Sequence, residues 1–224
     1  MLHSQPEAYL AVPRSGRGPG VLVLHAWWGL NDTIKDVCDR LAGEGFVAYA
    51  PDLYHGKLAR TIAEAEALSD QLDSERARAE VAEAADHLWG RTQPQGGGLG
   101  VMGFSLGAYF ALQLSIQDPE RVRAVALFYG TGGGDFSRAK ASYLGHFAGT
   151  DPYEPAAEVD ALERTLKSAG RPVKFYRYNN VGHWFFEHDR SDAYHEGMAR
   201  LAWDRTIAFL RATLSPSPAD LPAA

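Results

Sequence analysis

One cysteine, Cys38, in a chain of 224 residues excludes an intrachain disulfide and permits a reducing compartment. No run comes near the roughly 20 apolar residues that a membrane span requires. Basic residues are in the minority. Lys and Arg number 22 against 28 Asp and Glu, a net charge of −6, whereas a surface that tracks phosphates needs a basic excess. The start of the chain, "MLHSQPEAYLAVPRSG", lacks the basic-then-apolar pattern of a secretory signal. No H-E-x-x-H spacing occurs, and Cys38 stands far from His183, Glu187 and His188, so no metal site is expected. These absences predict a cytoplasmic protein with no nucleic-acid and no membrane partner.

What is present is ordinary globular material, 46% hydrophobic and 22% charged, long enough for one domain of the larger kind. Short apolar runs alternate with longer amphipathic segments. The runs lie at 20–27, 45–51, 98–104, 122–130, 142–149 and 172–179. Most are continuous rather than alternating, as strands covered on both faces in a parallel sheet should be. Helices are expected at 32–43, 61–70, 74–90, 106–117, 156–169 and 191–213, with Gly170 and Pro172 stopping the fifth. The alternation predicts an α/β fold, a mostly parallel twisted sheet with helices on both faces. Residues 1–213 are expected to form a single domain, and the Pro- and Ser-rich 214–224 a disordered tail. The glycine-rich 129–140 reads as a mobile loop at a strand end; it lacks the Lys-Ser/Thr and the strand–G-x-G-x-x-G–helix spacing of a phosphate cradle.

The stretch with the most chemistry is "VMGFSLGAYFAL", 101–112. Gly103-Phe104-Ser105-Leu106-Gly107 matches G-x-S-x-G between a strand and a helix. A turn that sharp leaves no room for side chains two positions either side of the serine. In return the hydroxyl stands above the sheet near a helix N-terminus, and the Leu106 N–H points where an oxyanion would form. A nucleophilic serine needs a base, and the base an orienter. Asp151 follows one strand and His183 the last, the order Ser…Asp…His of α/β-hydrolases. Asp151 could equally cap a helix near Pro155, which would leave Asp135 or Glu154 as orienter. The second oxyanion donor is expected from "HAWWGLND", at the Trp27 N–H. His25, Ala26, Trp28, Tyr54, Tyr109, Trp184 and Phe185 are expected around the substrate pocket. Of Trp27 and Trp28, one should be core, because two adjacent buried indoles are hard to satisfy.

With "VAYAPDLYHG" and "GTDPYEP…NNVGHWFFE", these segments make the chain resemble the dienelactone hydrolase family of α/β-hydrolases, up to about residue 213. The resemblance implies a compact hydrolase without a large lid, acting on small esters or lactones, with no cofactor. Two departures agree with each other. The family's namesake enzymes use a cysteine nucleophile where this chain has Ser105, and a glutamate facing the resting thiol where it has Ala26. A cysteine can be poised as a thiolate, whereas a serine relies on His183 to take its proton during attack. A glutamate beside it would compete for that histidine. Arg60 and Arg138 lie near the regions where the family holds a substrate carboxylate, and each reads as a solvated surface residue.

The expected activity is therefore a serine hydrolase of small carboxylic esters or lactones. A small peptidase or acyl-peptide hydrolase is disfavoured, because those enzymes append a gating domain. A non-catalytic ligand-binding module on the same scaffold is disfavoured by the presence of all three triad residue types.

Overall fold

The computed structural model describes residues 8–92 and 97–214; of the expected tail at 214–224, Leu214 is instead the buried last residue of a helix, and 215–224 lie outside the described residues. Seven strands form one sheet: β1 (Ala8–Ala11), β2 (Gly20–Leu24), β3 (Val47–Pro51), β4 (Leu99–Phe104), β5 (Val122–Phe128), β6 (Ser142–Ala148) and β7 (Val173–Tyr178). Their order across the sheet is β1-β3-β2-β4-β5-β6-β7. β1 runs antiparallel to β3 and every other pairing is parallel. The helices are α1 (Asp32–Gly43), α2 (Ile62–Asp70), α3 (Ser74–Thr92), α4 (Leu106–Gln117), α5 (Ala156–Ser168) and α6 (Glu196–Leu214). This is the α/β-hydrolase architecture, with no large lid evident among the described residues.

The continuous apolar runs are explained by cover on both faces. Along β2, Val21 and Val23 join the core under α1 and α6, while Leu22 and Leu24 join the core under α3, α4 and α5. β4 and β5 divide the same way. β1 has no counterpart among the expected strands. It is four residues long, pairs on one side only, and three of its four residues are not buried. An edge strand of that kind leaves almost no hydrophobic pattern. The last helix begins five residues later than expected, at Glu196. Residues 191–193 form a turn and 194–195 are irregular; Tyr194 N–H donates to the Arg190 carbonyl and His195 N–H to the Phe185 carbonyl.

All four parallel strands that matter for function deliver their following loops to one rim of the sheet. Trp27 follows β2, Ser105 follows β4, Asp151 follows β6 and His183 follows β7. The carboxyl ends of the strands in an open α/β sheet are where ligands bind.

Candidate active site

Ser105 sits at φ 48° and ψ −111° between the last residue of β4 and the first of α4. That backbone is costly for a residue with a Cβ, on the order of 1–3 kcal/mol. Close packing on both sides maintains it. A Cβ on Gly107 would lie 2.2 Å from the Leu24 carbonyl oxygen, and one on Gly103 would lie 2.4 Å from the Gly107 carbonyl oxygen. The turn is thus pressed directly against β2, and both glycines of the motif are steric necessities. Ser105 N–H donates to the Phe128 carbonyl at 2.9 Å, which fixes the elbow to β5 as well.

The Asp151 turn orients its own carboxylate. Oδ1 accepts from the N–H groups of Tyr153 (2.9 Å) and Glu154 (3.0 Å). That leaves Oδ2 to His183 Nδ1 at 2.7 Å, and His183 Nε2 lies 3.0 Å from Ser105 Oγ. The side chains of His183 and Asp151 are each only 3% exposed. A carboxylate at Nδ1 holds the proton there and leaves the Nε2 lone pair for the serine O–H. The Leu106 N–H opens α4, and the Trp27 N–H lies in the turn after β2. Among the described residues neither amide has a hydrogen-bond partner, so both are free to receive an oxyanion.

The other acids have different work. Asp135 is on the surface and accepts from the Ser137 N–H. Glu154 accepts from Thr131 N–H at 2.9 Å and Thr131 Oγ1–H at 2.7 Å, and burial raises its carboxyl above the usual range. It ties the 129–140 loop to the Asp151 turn. Gln113 Nε2 donates to the Gly133 carbonyl in the same loop, and Phe136 is buried, so that segment is anchored at three points.

Of the expected pocket residues, His25, Ala26, Trp28, Tyr54 and Phe185 are buried in the interior, which corrects the expectation that their side chains line a substrate pocket. Trp184 is also buried, at 7% exposure, but packs beside the His183 ring. His25 is a clamp: its Nδ1–H donates to the Ala26 carbonyl at 2.6 Å and Nε2 accepts from the Leu53 N–H at 3.1 Å. Burial lowers its pKa, so it stays neutral. Tyr109 points toward α3, where its hydroxyl accepts from Arg78. Trp28 is the core member of the tryptophan pair, under the Arg190 guanidinium at 4.1 Å. Trp27 is half-buried and stacks on Trp184 with centroids 5.9 Å apart. Tyr153, which the sequence did not single out, completes this group. It lies 4.8 Å from the Trp184 ring and 5.2 Å from the His183 ring, and is 44% exposed. Its signal was only its place two residues after Asp151. Arg60 and Arg138 are exposed, as their surface reading implied.

In the sequence Glu187 stands out only by its place between His183 and His188, without metal-ligand spacing. Among the described residues no group of potential ligands could hold a metal ion, and Glu187 has a different setting. Its carboxyl is fully buried, Oε1 accepts from the Tyr129 hydroxyl at 2.8 Å, and Oε2 has no partner among the described residues. Burial pushes its pKa up to about 8; Asp189 adds to the rise, while the Tyr129 hydroxyl and Arg190 oppose it. The folded-state value is above the unfolded one, so its stabilising contribution is complete below about pH 4.5 and is lost as pH rises through about 8. Replacing Glu187 by glutamine removes that loss. Relative to wild type, the variant should gain up to about 5 kcal/mol between pH 4.5 and 8, read from urea unfolding at the two ends of this range. A difference between variant and wild type that is flat with pH would show that Glu187 titrates normally.

Comparison with known proteins agrees with this architecture. A relative named "Protein usf" from Aquifex pyrophilus is 32% identical over 216 residues, covering 92% of this chain and 93% of its own. A "Putative carboxymethylenebutenolidase" of Aquifex aeolicus is 30% identical, covering 92% and 93% of the two chains. The crystal structure of a "Putative Dienelactone Hydrolase" from Klebsiella pneumoniae superposes with a TM-score of 0.79 at 25% identity, covering 91% of each chain. The dienelactone hydrolase family profile matches residues 7–214. With that match spanning nearly the whole α/β-hydrolase fold, the chain belongs to the dienelactone hydrolase family.

Proposed function

We propose that this protein is a serine hydrolase that cleaves small carboxylic esters or lactones through an acyl-enzyme on Ser105. The observation that carries the reading is the continuous hydrogen-bond chain from Asp151 Oδ2 through His183 to Ser105 Oγ, at 2.7 and 3.0 Å. Membership of a hydrolase family, relatives named carboxymethylenebutenolidase, and one Bradyrhizobium relative with lactonase in its name support the substrate class.

In this reading Ser105 Oγ attacks the carbonyl carbon while its proton passes to His183 Nε2. The carbonyl oxygen becomes an oxyanion held by the N–H groups of Leu106 and Trp27, each contributing about 3–4 kcal/mol to lowering the barrier. Collapse breaks the C–O bond, and the departing alkoxide takes the proton from His183. With a lactone, that alcohol stays attached to the acyl chain. Water then attacks the acyl-serine, giving its proton to His183, and the acid leaves as Ser105 regains its proton. Asp151 orients the imidazole and stabilises its cation throughout.

A fluorophosphonate probe should label folded protein stoichiometrically, with the adduct mapped to Ser105 by peptide mass spectrometry. The same preparation should turn over a panel of short-chain p-nitrophenyl esters and five- and six-membered lactones. Absence of an adduct on folded protein would end this reading.

A further inference from the structure

The geometry points to Glu187, acting through the Tyr129 hydroxyl, as a positioning residue for the His183 imidazole, an inference that builds on the hydrolase reading above.

Two facing pieces of chain meet here. The first is the turn that presents His183. It closes with the Glu187 N–H donating to the Trp184 carbonyl at 2.9 Å, so the base and the buried acid stand at its two ends. Trp184 within it has φ 62°, a left-handed backbone that a bulky residue adopts only under constraint. The second piece is the end of β5. Tyr129, one residue past the strand, also has positive φ, at 38°. Its N–H donates to the His146 carbonyl at 2.8 Å, and its hydroxyl donates to Glu187 Oε1 at 2.8 Å. The Tyr129 side chain is therefore held at its backbone and at its tip. Between those two points its ring lies against the His183 ring, centroids 4.9 Å apart.

That arrangement supplies what the triad alone lacks. Asp151 and Ser105 hold the two ring nitrogens of His183, both in the plane of the imidazole. Neither prevents the ring from tipping out of that plane. Tyr129 packs against the ring at 4.9 Å and 56°, and Tyr153 and Trp184 also lie against it, at 5.2 and 5.0 Å. Phe104, Phe128 and Phe185 pack the Tyr129 ring, and the hydrogen bond to Glu187 fixes the position of its tip. A buried carboxyl with one oxygen unpartnered is expensive to keep. Core packing alone would be served better by an apolar residue of similar size.

Glutamine is the conservative replacement, because its amide oxygen accepts the same bond and its NH2 group takes the place of the unpartnered oxygen. Tyr129→Phe removes the bond and keeps the ring. Glu187→Ala removes the acceptor. For each variant, kcat is measured per active site titrated with the fluorophosphonate, using p-nitrophenyl acetate. Glu187→Ala and Tyr129→Phe should lower kcat per titrated site about 10- to 100-fold with KM within about twofold, and Glu187→Gln should restore it to within about threefold. If Glu187→Ala does not fold, Tyr129→Phe decides alone. A purely structural role predicts fewer titratable sites with wild-type kcat at each, and that result overturns the proposal.

A second readout does not depend on turnover. The downfield proton NMR signal of the His183–Asp151 hydrogen bond should broaden or vanish in Tyr129→Phe and persist in Glu187→Gln; an unchanged signal in Tyr129→Phe overturns the proposal. Wild type that shows this signal but no labelling would instead end the hydrolase reading and leave the positioning test standing.

Discussion

Ser105→Ala should reduce kcat for p-nitrophenyl acetate by about 10⁶-fold, down to the residue of rate enhancement that binding and the oxyanion donors supply by themselves. The effect is this large because nothing adjacent can substitute. Cys38, the only thiol of the chain, is on the buried face of α1, and among the described residues the Ser105 hydroxyl makes its one side-chain hydrogen bond with His183 Nε2. Stability should not follow activity. The lost oxygen makes a single hydrogen bond, and alanine inherits the same backbone without adding volume against Leu24 or Phe128. An unfolding midpoint within about two degrees of wild type is expected. Substantial ester turnover by purified Ser105→Ala would mean that the chemistry resides elsewhere.

The next largest effect is expected at Asp151. Asparagine there keeps the turn, because its carbonyl oxygen can still accept from the N–H groups of Tyr153 and Glu154. What reverses is the edge facing the histidine. An amide NH2 placed 2.7 Å from His183 Nδ1 donates rather than accepts, so the imidazole must carry its proton on Nε2. That proton then points at Ser105 Oγ, and the base arrives already protonated on the wrong nitrogen. In a serine protease the same substitution costs about 10⁴ in kcat, through the tautomer rather than through the fold. A loss of about 10⁴ is expected here, with circular dichroism and thermal midpoint unchanged. Glu154 offers no escape, since both its oxygens are engaged by Thr131. A loss of less than about tenfold would contradict the assigned orienter.

The contrast between what sequence reading reached and what it missed follows the range of the forces involved. G-x-S-x-G was legible because its constraint is local: Gly103 and Gly107 must lack a Cβ wherever a strand turns this sharply into a helix. The parallel sheet was legible because burial on both faces writes itself into consecutive residues such as Val21 to Leu24. The meeting of Asp151 and His183 at one rim was legible because their positions after strands say which end of the sheet they reach. His25 was misjudged for the same reason. Its place after β2 put it at the rim, but two backbone hydrogen bonds turn its ring inward, and chain position does not encode a side-chain direction. The Tyr129–Glu187 pair spans 58 residues and carries no spacing rule. Only the folded chain brings it together.

Cys38 has a practical consequence. Its thiol is wholly buried, and burial pushes its pKa up to about 12, where almost no nucleophilic thiolate exists near neutrality. To maleimides and iodoacetamides the folded chain is therefore silent. A cysteine introduced on the surface, whether on the Tyr153 lip or along the 129–140 segment, becomes a unique attachment point with no native residue to remove first. Fluorophores or spin labels could then report how the mouth of the site responds to bound ester in an otherwise unaltered protein.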